Sequence, residues 1–561
     1  MRREYRLLYL FALLKLILPF LLQNGAYEPH RDEFLYLAEG RHMAWGYMEV
    51  PPLLSVFAWL TNLFGGGLFW IKFWPSLFGA LTYFLVGRMV LALGGRQFAL
   101  LLAFLPFVFG AYLRTHFLFQ PNFLDIFFWT LLAYALVRYV QAKGPRPADS
   151  RPADARLADA RPTDVRLADA RPEKWLLLAG GAAGLGMQSK YTMAFFAIAV
   201  IVGLVLTPQR RLLWNRHALY ALGIALLIFL PNLLWQWRHG FPVVYHMNEL
   251  QQKQLQYISP VTFFTEQLLF NLSVIYVWIA GLVFVGFNRQ GRPYRFIGWA
   301  FVVVLVLLAL GHAKGYYALG VYPVLFGFGA VGLERWTATR LRWRRYTMVG
   351  ATLVAGYGFI IAGLPFLPPQ QLAEHYAKSG VARSAGVLRW EDLKDHPLPQ
   401  DFADMLSWKE MTRKVAAAYA TLDSQEKSQT LLFCDNYGEA GAVNYYGPQY
   451  GLPPAYSDNA SFLYWMPGNY QYNVLLLVTD DKDEMNHAFV REFASAKLMD
   501  SISNPYARED GSLIILFKGP SATFRRAFVE KIDKARFKTT ATGVSGSGVP
   551  PNPLEKGGNL H

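Results

Sequence analysis

Asp32 and Glu33 stand side by side in Arg31-Asp32-Glu33-Phe34-Leu35-Tyr36, directly after the first long apolar run of the chain. A carboxylate kept near lipid is costly, so a pair at the mouth of a membrane bundle points to chemistry. Such a group can take the proton of an incoming hydroxyl as a general base. Adjacent side chains point in different directions, so only one of the two faces a given reacting atom. Aspartate before Glu-Phe-Leu-Tyr is equally a good helix N-cap. Glu49, just before Pro51-Pro52, sits where the chain can return toward the same mouth or lie as a solvated loop acid.

Asp125, in Pro121-Asn122-Phe123-Leu124-Asp125, falls near the outer end of another apolar run and needs a partner inside the bundle. Lys190, in Gln188-Ser189-Lys190-Tyr191-Thr192, is a partner on the same side, and Lys314 is a further outer cation beside Tyr316 and Tyr317. Lysine is a normal point-charge partner for phosphate, although each of these can also snorkel to the interface. Arg238, in Trp235-Gln236-Trp237-Arg238-His239, is another phosphate-seeking cation. The histidines show no HxxxH or HxH spacing, so no metal and no other cofactor is expected. The absence of a GxxxxGK[ST] loop argues against an ATP-driven pump.

The elements that must position these groups are membrane helices. Of 561 residues, 53% are hydrophobic and only 17% charged, against about 25% charged in a soluble protein. A span takes roughly 20 apolar residues. That ruler predicts spans near 7–24, 68–91, 98–115, 122–140, 175–189, 191–207, 217–235, 262–286, 295–311, 316–334 and 346–366. Residues 38–54 are too polar to span and too apolar to be solvated, which predicts an interfacial helix on the outer leaflet and a second one opened by Pro51-Pro52.

Loop charges orient the bundle. Arg2, Arg3, Arg6, Arg88, Arg96, Arg210, Arg211 and the run Arg335–Arg345 share one side, which the positive-inside rule makes cytoplasmic. The net charge of +15 reflects those loops, not a nucleic-acid surface. Asp32 and the C-terminal region then lie outside. The single cysteine, Cys434, excludes an intramolecular disulfide.

Arginine recurs every five residues through 146–172, inside a segment, 142–174, that reads as a disordered cytoplasmic insertion. Beyond Pro368 the pattern becomes helices at 402–422 and 482–494 and strands at 428–435, 472–480 and 511–519. The expected architecture is therefore a membrane all-α, polytopic bundle of about eleven spans over 1–368, with outer interfacial helices. A small C-terminal periplasmic α/β domain over 369–536 and a disordered tail over 537–561 complete it.

Several ordered motifs resemble the bacterial membrane glycosyltransferases of the GT-C superfamily, of the dolichyl-phosphate-mannose–protein mannosyltransferase and aminoarabinose transferase type. They are Asp32-Glu33, Trp45-Gly46-Tyr47 with Glu49-Val50-Pro51-Pro52, Asp125 after Gln120-Pro121, Ser189-Lys190-Tyr191-Thr192, Leu230-Pro231-Asn232 and Lys314-Gly315-Tyr316-Tyr317. The resemblance covers roughly residues 5–335.

It implies an inverting enzyme of the inner membrane that moves a sugar from a polyprenyl-phosphate donor to an envelope acceptor (lipid, glycan or protein) without nucleotide or essential metal. Asp32 is then the leading base, with Glu33 and Asp125 also catalytic. Lys190, Tyr191, Lys314 and Arg238 hold the donor phosphate and lipid, and Glu49, Tyr36 and His42 support the acceptor. Val50 stands where many relatives have histidine. The competing readings are a secondary transporter and a non-catalytic envelope-assembly protein. Against the transporter, no internal repeat is visible and the acids cluster at one face.

Overall fold

The computed structural model describes residues 3–143, 171–339, 341–384, 386–468 and 471–540. Nearly all of the pentapeptide repeat, and the tail beyond Thr540, lie outside them. The membrane part runs α1 (Arg3–Leu22), α2 (Arg31–Arg41), α3 (Leu53–Leu63), α4 (Leu68–Ala92), α5 (Gln97–Phe109), α6 (Tyr112–Thr115), α7 (Asn122–Lys143), α8 (Lys174–Ser189) and α9 (Thr192–Val205). It continues with α10 (Arg216–Arg238), α11 (Pro242–Lys253), α12 (Pro260–Phe270), α13 (Ile275–Phe287), α14 (Arg295–Leu310), α15 (Tyr322–Trp336) and α16 (Arg344–Gly363).

Every apolar run predicted to span is helical, but the expectation of about eleven spans is not met by length. Among the described residues, seven helices are long and apolar enough to cross a membrane, or eight if the pair 260–287, bent by 59°, counts as one. The others are short for identifiable reasons. α5 stops before Gly110, and the buried Lys15 of α1 donates to the carbonyls of Phe107 (2.9 Å) and Tyr112 (3.3 Å) on either side of that break. α8 and α9 are parted by Lys190, whose backbone is extended.

Of the interfacial helix expected within 38–54, only the first residues are helical, as the end of α2, and 42–52 is a loop; α2 itself packs between two cores. Its Tyr36 and Leu37 belong to the bundle core, whereas Phe34, Leu35 and Ala38 join Trp408, Met411 and Val415 in the core of the C-terminal region. It is buried between the two. That explains why a helix with five charged residues in its first and last turns still has eight buried ones. α3, after Pro51-Pro52, does expose an apolar face of Val56, Trp59 and Leu63.

The C-terminal region contains α17 (Pro369–Ser379), α18 (Val381–Ser384), α19 (Gln400–Ala403), α20 (Trp408–Ala420), α21 (Ser424–Ser428), α22 (Tyr437–Tyr446), α23 (Phe462–Trp465) and α24 (Ala522–Thr540). Its strands are β1 (Thr430–Cys434), β2 (Ala455–Tyr456), β3 (Val474–Thr479), β4 (Phe493–Ser501) and β5 (Leu513–Pro520), in sheet order β2-β1-β3-β5-β4. β1 is parallel to β2 and β3, while β5 runs antiparallel to β3 and β4.

Three local expectations change. Residues 482–494 form no α-helix: two 3-10 turns lead into β4, because Phe489 and Phe493 pack on Phe517 and Phe524 and the backbone pairs with β5. Residues 402–422 are split, with Ser407 left-handed. The break frees the carbonyls of Asp404 and Met405 to accept from Arg31 (3.0 Å) and Glu28 (2.8 Å). α24 continues past 537 to Thr540, into the predicted tail.

Candidate active site

The start of α2 is set by a capping box. The His30 side chain accepts from the Asp32 N–H (3.1 Å), and the Glu33 carboxylate accepts from the His30 N–H (2.8 Å). Histidine, not Asp32, is thus the N-cap. Asp32 and Glu33 then diverge by roughly 100° around the helix. Glu33 turns into the bundle, where both oxygens accept from Lys72 Nζ (2.6 and 2.7 Å) and one also accepts from the Phe119 N–H (2.7 Å). It is fully buried and saturated, and does not face the open side of the helix.

Asp32 turns the other way. One oxygen accepts from the Tyr437 hydroxyl (2.7 Å) and the other from the Gln120 amide (3.0 Å). Burial pushes its carboxyl up, but His30, the Tyr437 hydrogen bond, Arg31 and Arg508 outweigh this. They hold it below the ordinary aspartate value. It is therefore an ionised carboxylate at neutral pH.

Gln120 begins a chain of hydrogen bonds. Its carbonyl accepts from the Asn122 amide (3.2 Å), and the Asn122 carbonyl accepts from Lys190 Nζ (2.7 Å). Lys190 also lies over the Tyr317 ring at 3.9 Å, a cation–π contact. Asp125, one turn into α7, is buried within electrostatic reach of Lys190. It accepts from Thr192 Oγ1 (2.8 Å) through one oxygen and leaves the other unpartnered. The extended backbone between α8 and α9 brings Lys190 to this point.

Two further contacts fix the mouth. Tyr191 donates to Asn232 (3.1 Å) and accepts from Gln236 (3.0 Å), and those two α10 amides hold the carbonyls of Trp45 and Tyr47. Glu49 accepts from Ser461 through its backbone N–H (2.7 Å) and its hydroxyl (2.6 Å), tying the 42–52 loop to the C-terminal region. Tyr36 is buried one turn beyond Asp32.

Other predicted residues stand apart from this network. His42 is exposed and stacks on Trp465 at 4.2 Å. Lys314 pairs with Glu391 at 3.6 Å, and Arg238 is exposed at the end of α10. Sequence reading passed over Lys72, Gln120, Asn122, Thr192 and Tyr437 as working groups. Lys72 did carry a signal, a lone charge inside an apolar run. Tyr437 carried none, because it comes from a helix 405 positions away in the chain.

Two groups bring potential metal ligands close together: His30, Asp401 and Asp404, and Asp481, Glu484 and His487. In the first, the His30 Nδ1 already accepts from the Asp32 N–H, and Nε2 faces the acids at 3.8 and 3.6 Å. Arg114 and Arg508 also pair with those acids. That geometry fits a hydrogen-bonded charge cluster better than a cation.

The fold has solved counterparts. ArnT from Cupriavidus metallidurans bound to undecaprenyl phosphate is similar over 91% of this chain and 97% of its own, with TM-score 0.54 and 14% identity. Its apo form is similar over the same shares, with TM-score 0.54 and 12% identity. The chain has the GT-C fold. A family model described as dolichyl-phosphate-mannose-protein mannosyltransferase matches residues 164–235, a stretch that includes Lys190, Tyr191 and Asn232. The archaeal oligosaccharyltransferase AglB from Archaeoglobus fulgidus, in complex with an inhibitory peptide and a dolichol-phosphate, is similar over 86% of this chain and 70% of its own, with TM-score 0.46 and 13% identity. No curated protein matches by sequence.

Proposed function

We propose that the protein is a polytopic membrane glycosyltransferase that moves a sugar, with inversion, from a polyprenyl-phosphate donor to an envelope acceptor on the outer face of the inner membrane. The observation that carries this reading is the unbroken chain Asp32–Gln120–Asn122–Lys190, which couples an ionised carboxylate to a cation. A displacement at an anomeric carbon needs those two groups: a base for the attacking hydroxyl and a cation for the departing phosphate.

In this mechanism Asp32 takes the proton of the acceptor hydroxyl, and the oxygen forms its bond to the anomeric carbon. The carbon–oxygen bond to phosphate breaks with its electron pair, and Lys190 stabilises the polyprenyl phosphate that leaves. Asp125, held by Thr192 beside Lys190, orients the cation. Glu33 acts through Lys72 to fix α2 and is a positioning residue. Tyr191 and Glu49 hold the walls of the mouth, and Lys314 and Arg238 meet the donor at its periphery.

The test is release of polyprenyl phosphate from radiolabelled polyprenyl-phosphate sugars by membranes holding wild type or Asp32→Asn. Release by wild type alone supports the reading. Equal release by both removes Asp32 as the base. No consumption by an abundant, folded wild type, across a panel of donor sugars, favours the transporter or scaffold instead.

A further inference from the structure

Glu39 lies two turns along α2 from Asp32, a rise of roughly 10 Å on nearly the same face of the helix. It is fully buried, and neither carboxylate oxygen has a hydrogen-bond partner. No cation compensates it; the charged group that acts on it is Glu49. Buried polar atoms are nearly always hydrogen-bonded, so two orphaned oxygens on one side chain call for a partner that is absent here. Between Asp32 and Glu39 along α2 stands the buried Tyr36, within electrostatic reach of Asp32, Glu39, Tyr437 and Glu49. Burial and Glu49 together push the Glu39 carboxyl well above the ordinary glutamate value. As a neutral acid it has one O–H to donate and a carbonyl to accept.

The position of this face relative to Lys190 decides what it meets. Gln120, which leads to Lys190, binds one Asp32 oxygen and Tyr437 binds the other, and Tyr36 is within electrostatic reach of Tyr437 and of Glu39. In an inverting displacement the leaving group and the attacking oxygen occupy opposite faces of the sugar. We propose that Glu39 and Tyr36 form the acceptor subsite, and that the acceptor presented there is an uncharged, hydroxyl-bearing sugar ring, not a phosphate or a carboxylate. The inference rests on the glycosyltransferase reading above. Its physical ground is that Asp32 and Glu49 repel an anion, whereas ring hydroxyls satisfy both oxygens of the neutral Glu39 carboxyl. Attack by such a hydroxyl also needs the base that Asp32 supplies.

The experiment uses the full-length protein in detergent or liposomes with a polyprenyl-phosphate sugar that wild type consumes. The acceptors are a short neutral oligosaccharide and the same oligosaccharide bearing a terminal phosphate. Wild type should prefer the neutral acceptor. Glu39→Ala should raise its KM about tenfold, the scale of one lost buried hydrogen bond. The donor KM should stay unchanged, and Glu39→Gln, which keeps a donor and an acceptor, should restore most of the loss. Preference of wild type for the phosphorylated acceptor overturns the inference while leaving the transferase reading standing. An unchanged acceptor KM in Glu39→Ala, or a Glu39→Gln as impaired as Glu39→Ala, also overturns it. A wild type that consumes no donor sinks the transferase reading itself, and this inference with it.

Discussion

Replacing Tyr437 by phenylalanine removes one hydroxyl and leaves the ring that Arg31 covers at 4.6 Å. The lost bond, 2.7 Å to an Asp32 oxygen, is one of the interactions that favour the charged carboxylate. A hydrogen bond to a charged group contributes about 1.5–3 kcal/mol, and a half-buried phenol belongs at the lower end of that range. About 1.4 kcal/mol corresponds to a tenfold change in a protonation equilibrium, or roughly one pH unit. The sign follows from the direction of the shift. Asp32 works ionised, its carboxyl is held below the ordinary value, and loss of the bond lets it rise. Tyr437→Phe should therefore lose activity at a higher pH as the solution is acidified, moving the acidic limb of kcat/KM up by about one unit. The rate on the neutral plateau should change far less. The assay is polyprenyl phosphate release across pH by variant and wild type of matched monodispersity. Superimposable acidic limbs would refute the electrostatic role of Tyr437, and a limb moved to lower pH would refute the sign.

Lys72→Ala leaves the fully buried Glu33 without its cation and should destabilise the protein by about 3–5 kcal/mol. Glu33→Gln combined with Lys72→Met should cost much less than the two singles summed, as read by thermal unfolding in detergent. Lys190→Ala should lower kcat/KM for the lipid donor by about 10²–10³, the scale of one lost charge-stabilising group. Ser461→Ala, which loses the hydroxyl contacts to Glu49 and the Met48 N–H, should speed proteolytic cleavage in the 42–52 loop without abolishing donor turnover. Deleting residues 146–172, whose repeat carries no pattern for burial, should leave donor turnover unchanged in the release assay.

Much of this molecule can be read from local pattern. Long apolar runs must form helices, because a lipid-facing backbone can satisfy its hydrogen bonds only within itself, and each predicted run does. The central strands β1, β3 and β5 are legible for the related reason that short apolar β-branched and leucine-rich runs bounded by polar residues suit a buried sheet. Asp32, Asp125 and Lys190 stood out because charge near lipid is costly and needs a purpose. Residues 482–494 misled, since helical spacing there lost to aromatic packing and to pairing with β5. Composition also does not register the breaks at Gly110 and Lys190, which leave some of the predicted runs as shorter helices.

Where each of two adjacent carboxylates points was decided only by tertiary structure. Asp32 and Glu33 are equivalent as sequence, yet one helical step of rotation sends Glu33 to Lys72 and Asp32 to Tyr437 and Gln120. The same holds for α2, whose composition suits a lipid interface and whose actual neighbours are the bundle on one side and the C-terminal region on the other. Sequence alone determined that charges would be gathered at one end of a helical bundle, because the cost of burying charge is a property of each residue. Which partner each charge meets depends on segments up to hundreds of residues apart, and only the packing of α2 against α22, with its contacts to Phe119 and Gln120 just before α7, brings those together.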